Sequence, residues 1–315
     1  MENALATQPL GRARTATLVA VGPRDRLTDV TSTLAAGDGA GALHIVRIVT
    51  DGTGAPDGDE RADVVTIAGL RPEYVNNAIA AVRLSRLPTI VWWRGGRAEQ
   101  LEGVATLADR VVLDAVDPWP LWSRLPPLFE HTAFTDVRWA RLTRWRAALA
   151  HFFDMPPVKE SASDFTSLSI AASDRAQAAL FAGWLDASLN WRGRVRAALV
   201  PSRVAFESIT LRSNTCELVL RLLDGATCLS AEGRIGGDLV ASRVLSLGSQ
   251  TLGTLMTEGL RVRSRGLPIG RALEHERAAP GVGPGQDTDE RGCQRGLEPG
   301  EVGGLGQTAR LAHER

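Results

Sequence analysis

The sequence predicts an α/β protein: a mostly parallel five-stranded sheet with helices on both faces, followed by a smaller α+β domain and a disordered C-terminal tail. Three observations carry this. Short β-branched runs alternate with segments of helical period between residues 15 and 116; a run of strands follows a proline-containing break at 154–160; apolar periodicity stops after residue 265. Strands that alternate with helices make parallel neighbours, so their sheet is covered on both faces. The domains expected are 14–158 (α/β), 159–265 (α+β) and 266–315 (tail).

In order, TATLVAVG (15–22) reads as a strand and 24–36 as a helix that ends in the loop GDGAG. LHIVRIVT (43–50) is a second strand and DVVTIAG (63–69) a third, joined by the acidic, turn-rich DGTGAPDGDE. Val75, Ile79 and Val82 recur at helical spacing over 72–85, with Pro72 suited to a first turn. PTIVWW (88–93) and RVVLDAV (110–116) complete five strands, with EQLEGVATLAD as the helix between them. WPLWSRLPPLFEH is too interrupted by proline for one long helix. In LTRWRAALAHFFD, Leu142, Trp145, Leu149, Phe152 and Phe153 mark a buried stripe, Thr143 is the expected N-cap, and DMPPVKE is a linker. The second half reads as a strand at FTSLSIAAS, a helix over 175–189, and three strands, RVRAALVPS, FESITLRS and CELVLRLL. Asp224-Gly225 forms a two-residue hairpin turn into ATCLSAEGRI. That register puts Cys216 and Cys228 on opposite faces and excludes a disulfide. A helix over about 239–261 closes the domain.

Composition excludes several functions. Thirty-six basic residues balance 36 acidic ones, with Lys159 the only lysine, so neither nucleic acid nor a membrane surface is an expected partner. Three cysteines without metal-ligand spacing, and no apolar run of membrane length, fit a cytoplasmic protein. No phosphate-binding loop is present: GDGAG precedes a strand, whereas a dinucleotide turn must follow one. The five histidines are scattered, and no nucleophile elbow or HExxH occurs. No catalytic, cofactor-binding or metal-ligating set is therefore expected.

What remains is aromatic and arginine-rich. LPTIVWWRGG (87–96) ends a strand at the carboxyl edge of the predicted sheet, where ligands approach, and Asp114 and Asp117 follow the next strand. Period 2 places Trp92 and Trp93 on opposite faces, so they either cap the two helix layers or offer a rigid surface. All eight tryptophans fall between 92 and 191, and Arg138, Arg141, Arg144 and Arg146 interleave with Trp139 and Trp145. Tryptophan and arginine are the residue types enriched at interface hot spots. The partner-binding candidates are thus Trp92, Trp93, Arg94, Arg97, Asp114, Trp139, Arg141, Trp145 and Arg146, with Arg94 expected to face the partner and Trp139 to be the exposed anchor.

Three blocks in order resemble the OpcA family, the glucose-6-phosphate dehydrogenase assembly proteins. They fall on Leu87, Pro88, Trp92, Trp93 and Arg94; on Ala108, Asp109, Arg110 and Asp114; and on Asp136, Val137, Trp139, Arg141, Leu142, Thr143, Trp145 and Arg146. The chain departs from the family in a reduced segment before the first strand, a short glycine-rich acidic loop between the second and third, and Arg144 where proline is usual. The resemblance implies a non-enzymatic factor without a cofactor. Its partner would be glucose-6-phosphate dehydrogenase, whose assembly or activation it promotes for NADPH supply. The alternative is a sugar-phosphate or nucleotide site built on Arg94 and Arg97, which could grip phosphate in bidentate fashion. A third is a redox-responsive module acting through Cys216 or Cys228.

Overall fold

The computed structural model describes residues 14–36, 43–52, 64–84, 86–161, 164–225, 227–261, 270 and 272–273. Six strands form the first sheet: β1 (Ala16–Gly22), β2 (Leu43–Val49), β3 (Val64–Ile67), β4 (Thr89–Trp93), β5 (Arg110–Leu113) and β6 (Ala133–Asp136). Their order is β3-β2-β1-β4-β5-β6 and every neighbouring pair is parallel. This is the doubly wound order, which reverses direction between β1 and β4 and opens a crevice there. The expected sheet had five strands. The sixth is four residues directly behind a proline-rich segment, too short to show a period of its own. It is held by β5 and by Phe134, whose buried ring meets Phe129 edge-on at 5.8 Å.

The helices of this half are α1 (Val30–Ala35), α2 (Val75–Val82), α3 (Leu101–Leu107), α4 (Trp119–Trp122) and α5 (Val137–Arg141). Then come α6 (Thr143–Phe153), α7 (Pro156–Glu160), α8 (Arg175–Ser188) and α9 (Leu252–Arg261). β1 is central and buried along its whole length, which explains its unbroken apolar run. Period 2 divides the sheet's side chains between two layers. Val19, Val21, Val46, Ile48, Val91, Trp93, Val111 and Leu113 meet α2 and α3 on one face. Leu18, Ala20, Ile45, Trp92 and Val112 meet α1 on the other, joined by Leu255 and Met256 of α9. Helix α9 thus returns from the second half of the chain to cover the first sheet.

The second sheet contains β7 (Ser167–Ala172), β8 (Arg196–Pro201), β9 (Ser208–Arg212), β10 (Cys216–Leu222), β11 (Cys228–Ile235) and β12 (Asp238–Ser246). Its order is β12-β11-β10-β9-β7-β8; β7 and β8 are parallel through α8, and the other pairs are antiparallel. Its inner side chains, among them Leu168, Ile170, Ile209, Leu211, Leu218, Leu220, Leu229 and Ala231, belong to the same cluster as Trp93 and α2. Trp145 of α6 sits inside that cluster, edge-on to Phe206 at 4.8 Å.

Several expectations are corrected. Residues 238–246 form a strand, not the start of a helix over 239–261. Gly236 and Gly237, at φ 59° and 93°, make a two-residue hairpin turn that folds the chain back on β11 before a helix can begin. β10 and β11 are paired two residues out from the expected register, Leu222 opposite Leu229, so the connection is longer than Asp224-Gly225. A shift of two preserves the faces: Cys216 is buried, Cys228 is half-buried on the other side, and both are free. The linker at 154–160 contains helix α7, anchored by buried Val158, and Leu142 rather than Thr143 caps α6. Of the tail expected over 266–315, residues 270, 272 and 273 are described, and Ala272 and Leu273 are buried; the rest lies outside the described residues.

Because Trp145 joins the two sheets, Trp145→Ala should destabilise the whole fold by about 3–5 kcal/mol. Urea unfolding followed by tryptophan fluorescence measures this. A loss under about 1 kcal/mol would mean that the site is not part of the shared core.

Candidate functional site

The carboxyl ends of β1, β4 and β5 bring a cluster of charged side chains together. β4 runs straight to Trp93, and the backbone N–H groups of Arg94 and Gly95 both donate to the Val21 carbonyl, at 2.8 and 3.2 Å. Two glycines are required here by close approach. A Cβ on Gly95 would lie 2.6 Å from Cδ of Pro23, and one on Gly96, at φ 148°, would lie 2.6 Å from the Trp93 ring. The loops after β1 and β4 therefore touch across the crevice at which the strand order reverses.

The Arg94 side chain fills the space beneath that contact. It is 5% exposed and donates from Nε to Asp114 Oδ2 at 3.1 Å and from Nη1 to Asp29 Oδ1, while its guanidinium stacks over Trp92 at 4.5 Å. Arg26 completes the cluster, donating to the Asp114 carbonyl at 2.6 Å and lying 3.5 Å from its carboxylate. Asp29 stands at the N-terminus of α1, so a carboxylate of the chain occupies the end of the helix dipole that attracts anions. At the end of β2, Asp51 accepts the backbone N–H of Arg24 at 2.6 Å. In a doubly wound nucleotide-binding sheet these three places hold a glycine-rich turn, a pyrophosphate and a ribose hydroxyl. Here Pro23, Asp29 and Asp51 stand at those places.

A cleft of about 620 Å³ opens over the cluster, with Arg26, Arg94, Gly95 and Gly96 in its lining, walled by Pro23, Ala98, Val116, Pro120 and Leu121 and edged by Asp25, Glu99 and Asp117. Val116 is 75% exposed, the most exposed of the large apolar side chains described. Arg97 does not line this cleft; it points outward beside Glu99 at 3.9 Å. Arg94 and Arg97 thus do not converge on a common phosphate position.

The second group of candidates lies on α5 and α6. Arg138 links three segments: Nε to Asp174 at 3.0 Å, Nη1 to the Ala115 carbonyl at 2.9 Å and Nη2 to the Val116 carbonyl at 3.1 Å. Asp174 in turn caps α8, so this arginine ties the strand ends of the first sheet to the second half of the chain. Asp136 is fully buried and caps α5, accepting from the backbone of Arg138 at 2.7 Å and from Trp122 Nε1 at 3.0 Å. Burial dominates its titration and raises its pKa from 3.8 to about 6, against the lowering pull of Arg138 and the two hydrogen bonds. Arg146 stacks on half-buried Trp139 at 3.4 Å, and burial lowers its pKa to about 9.

The expected partner residues are therefore divided. Trp92, Trp93 and Trp145 are interior, and each tryptophan of the pair caps one helix layer. Arg94 is corrected from a partner-facing residue to a buried one, because two carboxylates and an indole face already satisfy it. Asp114 is its counter-ion and is mostly covered; Arg97 is exposed; Trp139, Arg141 and Arg146 are half-buried on the helices. Asp29, Arg26, Asp51 and Asp174 were not anticipated, and Arg138 was noted only as one of the arginines beside Trp139. A buried arginine at a strand end needs carboxylates from neighbouring loops, and Asp29 at the start of an apolar helical run was the available signal. Among the described residues no three His, Cys, Asp or Glu side chains are placed to hold a metal ion, and no helix is long and apolar enough to cross a membrane.

Two outcomes follow from the cluster. Arg94→Ala leaves covered Asp114 with only the longer Arg26 contact at 3.5 Å, and half-exposed Asp29 regains water, so the loss should be about 3 kcal/mol, at the low end for a broken buried pair. Arg94→Lys recovers only part of it, lacking the planar fork and the stacking face; equal stability of Lys and Arg variants in chemical denaturation would refute this. Asp136 binds its proton more tightly in the folded state, so its contribution is present below pH 3.8 and is lost as pH rises through about 6. Wild type minus Asp136→Asn should accordingly show stability falling across that window, and a flat difference would contradict the assignment.

Residues 132–273 match the family described as the C-terminal domain of a glucose-6-phosphate dehydrogenase subunit. The matched segment runs from the start of β6 through the second sheet and α9 to buried Leu273. The OxPP cycle protein OpcA of Synechocystis sp. is 24% identical over 197 residues, 59% of this chain and 41% of its own length. The OpcA of Nostoc punctiforme is 25% identical over 203 residues, 60% of this chain and 42% of its own. The chain thus spans about two fifths of the length of the curated relatives it matches. In fold it is similar to a 3-ketoreductase from Actinomadura kijaniata solved with NADP and TDP-benzene, at a TM-score of 0.52 and 12% identity, covering 84% of this chain and 97% of that one. The motif blocks, the domain match over residues 132–273 and both relatives point the same way: the chain is similar to proteins of the OpcA family.

Proposed function

We propose that this chain is a non-catalytic protein factor that binds glucose-6-phosphate dehydrogenase and promotes its active oligomer, in support of the oxidative pentose phosphate pathway. The description of the matched domain, which names that dehydrogenase, supports the choice of partner. One observation carries the non-catalytic part. At the crevice that would receive a dinucleotide in this strand order, the Arg94 guanidinium is already paired with Asp29 and Asp114, and Pro23 packs against Gly95. A buried ion cluster that already satisfies its own charges has no use for a pyrophosphate, and Asp29 would repel one.

The contact surface proposed is the rim of the strand-end cleft. Val116, Asp117, Glu99 and Arg97 are exposed around it, and Trp139 and Arg141 stand half-buried on α5. An exposed apolar residue ringed by charges matches the apolar centre and polar rim of an interface.

Co-expression with the dehydrogenase of the same organism, followed by gel filtration and an activity assay, tests the proposal. Co-elution with a changed oligomer or rate is expected; separate elution and an unchanged rate would overturn it. Val116→Asp should weaken the complex about tenfold or more while leaving thermal stability unchanged, since a charge replaces an apolar contact only at the interface. Alone, the chain should show no thermal shift with NADP or NAD, and a clear shift would overturn the non-catalytic part.

A further inference from the structure

Among the described residues, no element covers the outer face of the second sheet. Along β7, β9, β10 and β11 burial alternates residue by residue: the inward side chains are buried under α6, α7 and α8, and the outward ones are all accessible. The pairing registers arrange the outward residues in three rows across the strands. The middle row is Ser169, Thr210, Val219, Glu232 and Ser242. On one side of it lie Ser167, Arg212, Glu217, Arg234 and Leu239; on the other, Ala171, Ser208, Arg221, Ser230 and Val244. Most of these side chains are small, so the face is flat. At its β12 margin Leu239 is 52% and Val244 64% exposed.

We propose that this face is the interface with a second copy of the same chain, the two sheets stacking about a dyad that runs along the middle row. The pattern of charge and apolarity on the face carries the choice of occupant. Such a dyad exchanges the two outer rows. It sets Glu217 against the Arg221 of the second copy, twice, and Leu239 against Val244, also twice. Arg221 is exposed between Ser208 and Ser230, with no carboxylate opposite it on either neighbouring strand. Glu217, by contrast, has an arginine on each side, Arg212 at 2.6 Å and Arg234 across the pair. Glu232, on the axis, keeps its own counter-charge, Arg234 at 3.4 Å. The size also suits: six strands about 4.8 Å apart and about 20 Å long present on the order of 600 Å² per copy, reaching the lower edge of a standard interface at about 1,200 Å² in all. Aligned sheet stacking about 10 Å apart is a common solution for two such faces.

Sedimentation velocity on the full chain over about a hundred-fold range of concentration tests this by mass action. A concentration-dependent dimer is expected. Arg221→Glu should weaken it at least about tenfold, because like charges then face each other twice. Glu217→Arg should weaken it similarly, and the double variant with both changes should restore the dimer. Circular dichroism confirms that Arg221→Glu, an exposed change beside two serines, keeps the fold. A chain that stays monomeric throughout, or a dimer indifferent to the reversals and to their combination, overturns the proposal. So does a monomer in which Arg221→Glu instead abolishes co-elution with the dehydrogenase, since the face would then belong to that partner.

Discussion

Arg94 holds the carboxyl end of the first sheet together. A guanidinium this deeply covered is tolerable only with its charge met on every side, and Asp29, Asp114 and the face of Trp92 meet it. Each partner comes from a different element: the start of α1, the end of β5 and the last residues of β4 itself. The loops after β1, β4 and β5 are consequently fixed in relation to one another without a bound ligand. Pro23 against Gly95 then brings the loops after β1 and β4 into contact at the place where a nucleotide would otherwise organise them. A sheet of the doubly wound kind becomes a self-contained scaffold, and its strand-end rim is left to meet other molecules from outside.

The same economy governs the join between the two halves of the chain. Arg138 binds the loop after β5 through two carbonyls and the N-cap of α8 through a carboxylate, so one side chain spans both halves. Trp145 and Phe206 add an apolar bridge, and α9 returns to seal the outer layer of the first sheet. The consequence is one continuous core beneath two sheets. The uncovered face of the second sheet lies on the far side of that core from α6 and α8.

Much of the architecture was legible in advance where a period was long enough to read. The all-buried run of β1, the alternating burial of β7 to β11 and the stripe of α6 each follow the pattern of their residues. β6 and β12 escaped for different reasons. Ala133–Asp136 is too short to display alternation, and 238–246 has apolar spacing that fits a helix until Gly236-Gly237 imposes a hairpin. At the candidate site, opposite facing of Trp92 and Trp93 followed from period 2 alone. The burial of Arg94 did not, because its carboxylates are 65 and 20 residues away along the chain.

By itself the sequence determined the class of fold, the absence of a recognisable phosphate loop, and the three blocks by which the chain resembles the OpcA family. These are local properties, written in spacing and composition over a few turns or strands. Tertiary structure alone decided which charges are spent internally and which are offered outward. Arginines look alike in a sequence; Arg94 and Arg138 are consumed by carboxylates from distant loops, whereas Arg97 and Arg221 are left at the surface. Coulomb pairing depends on distance in space, and only the folded chain sets that distance.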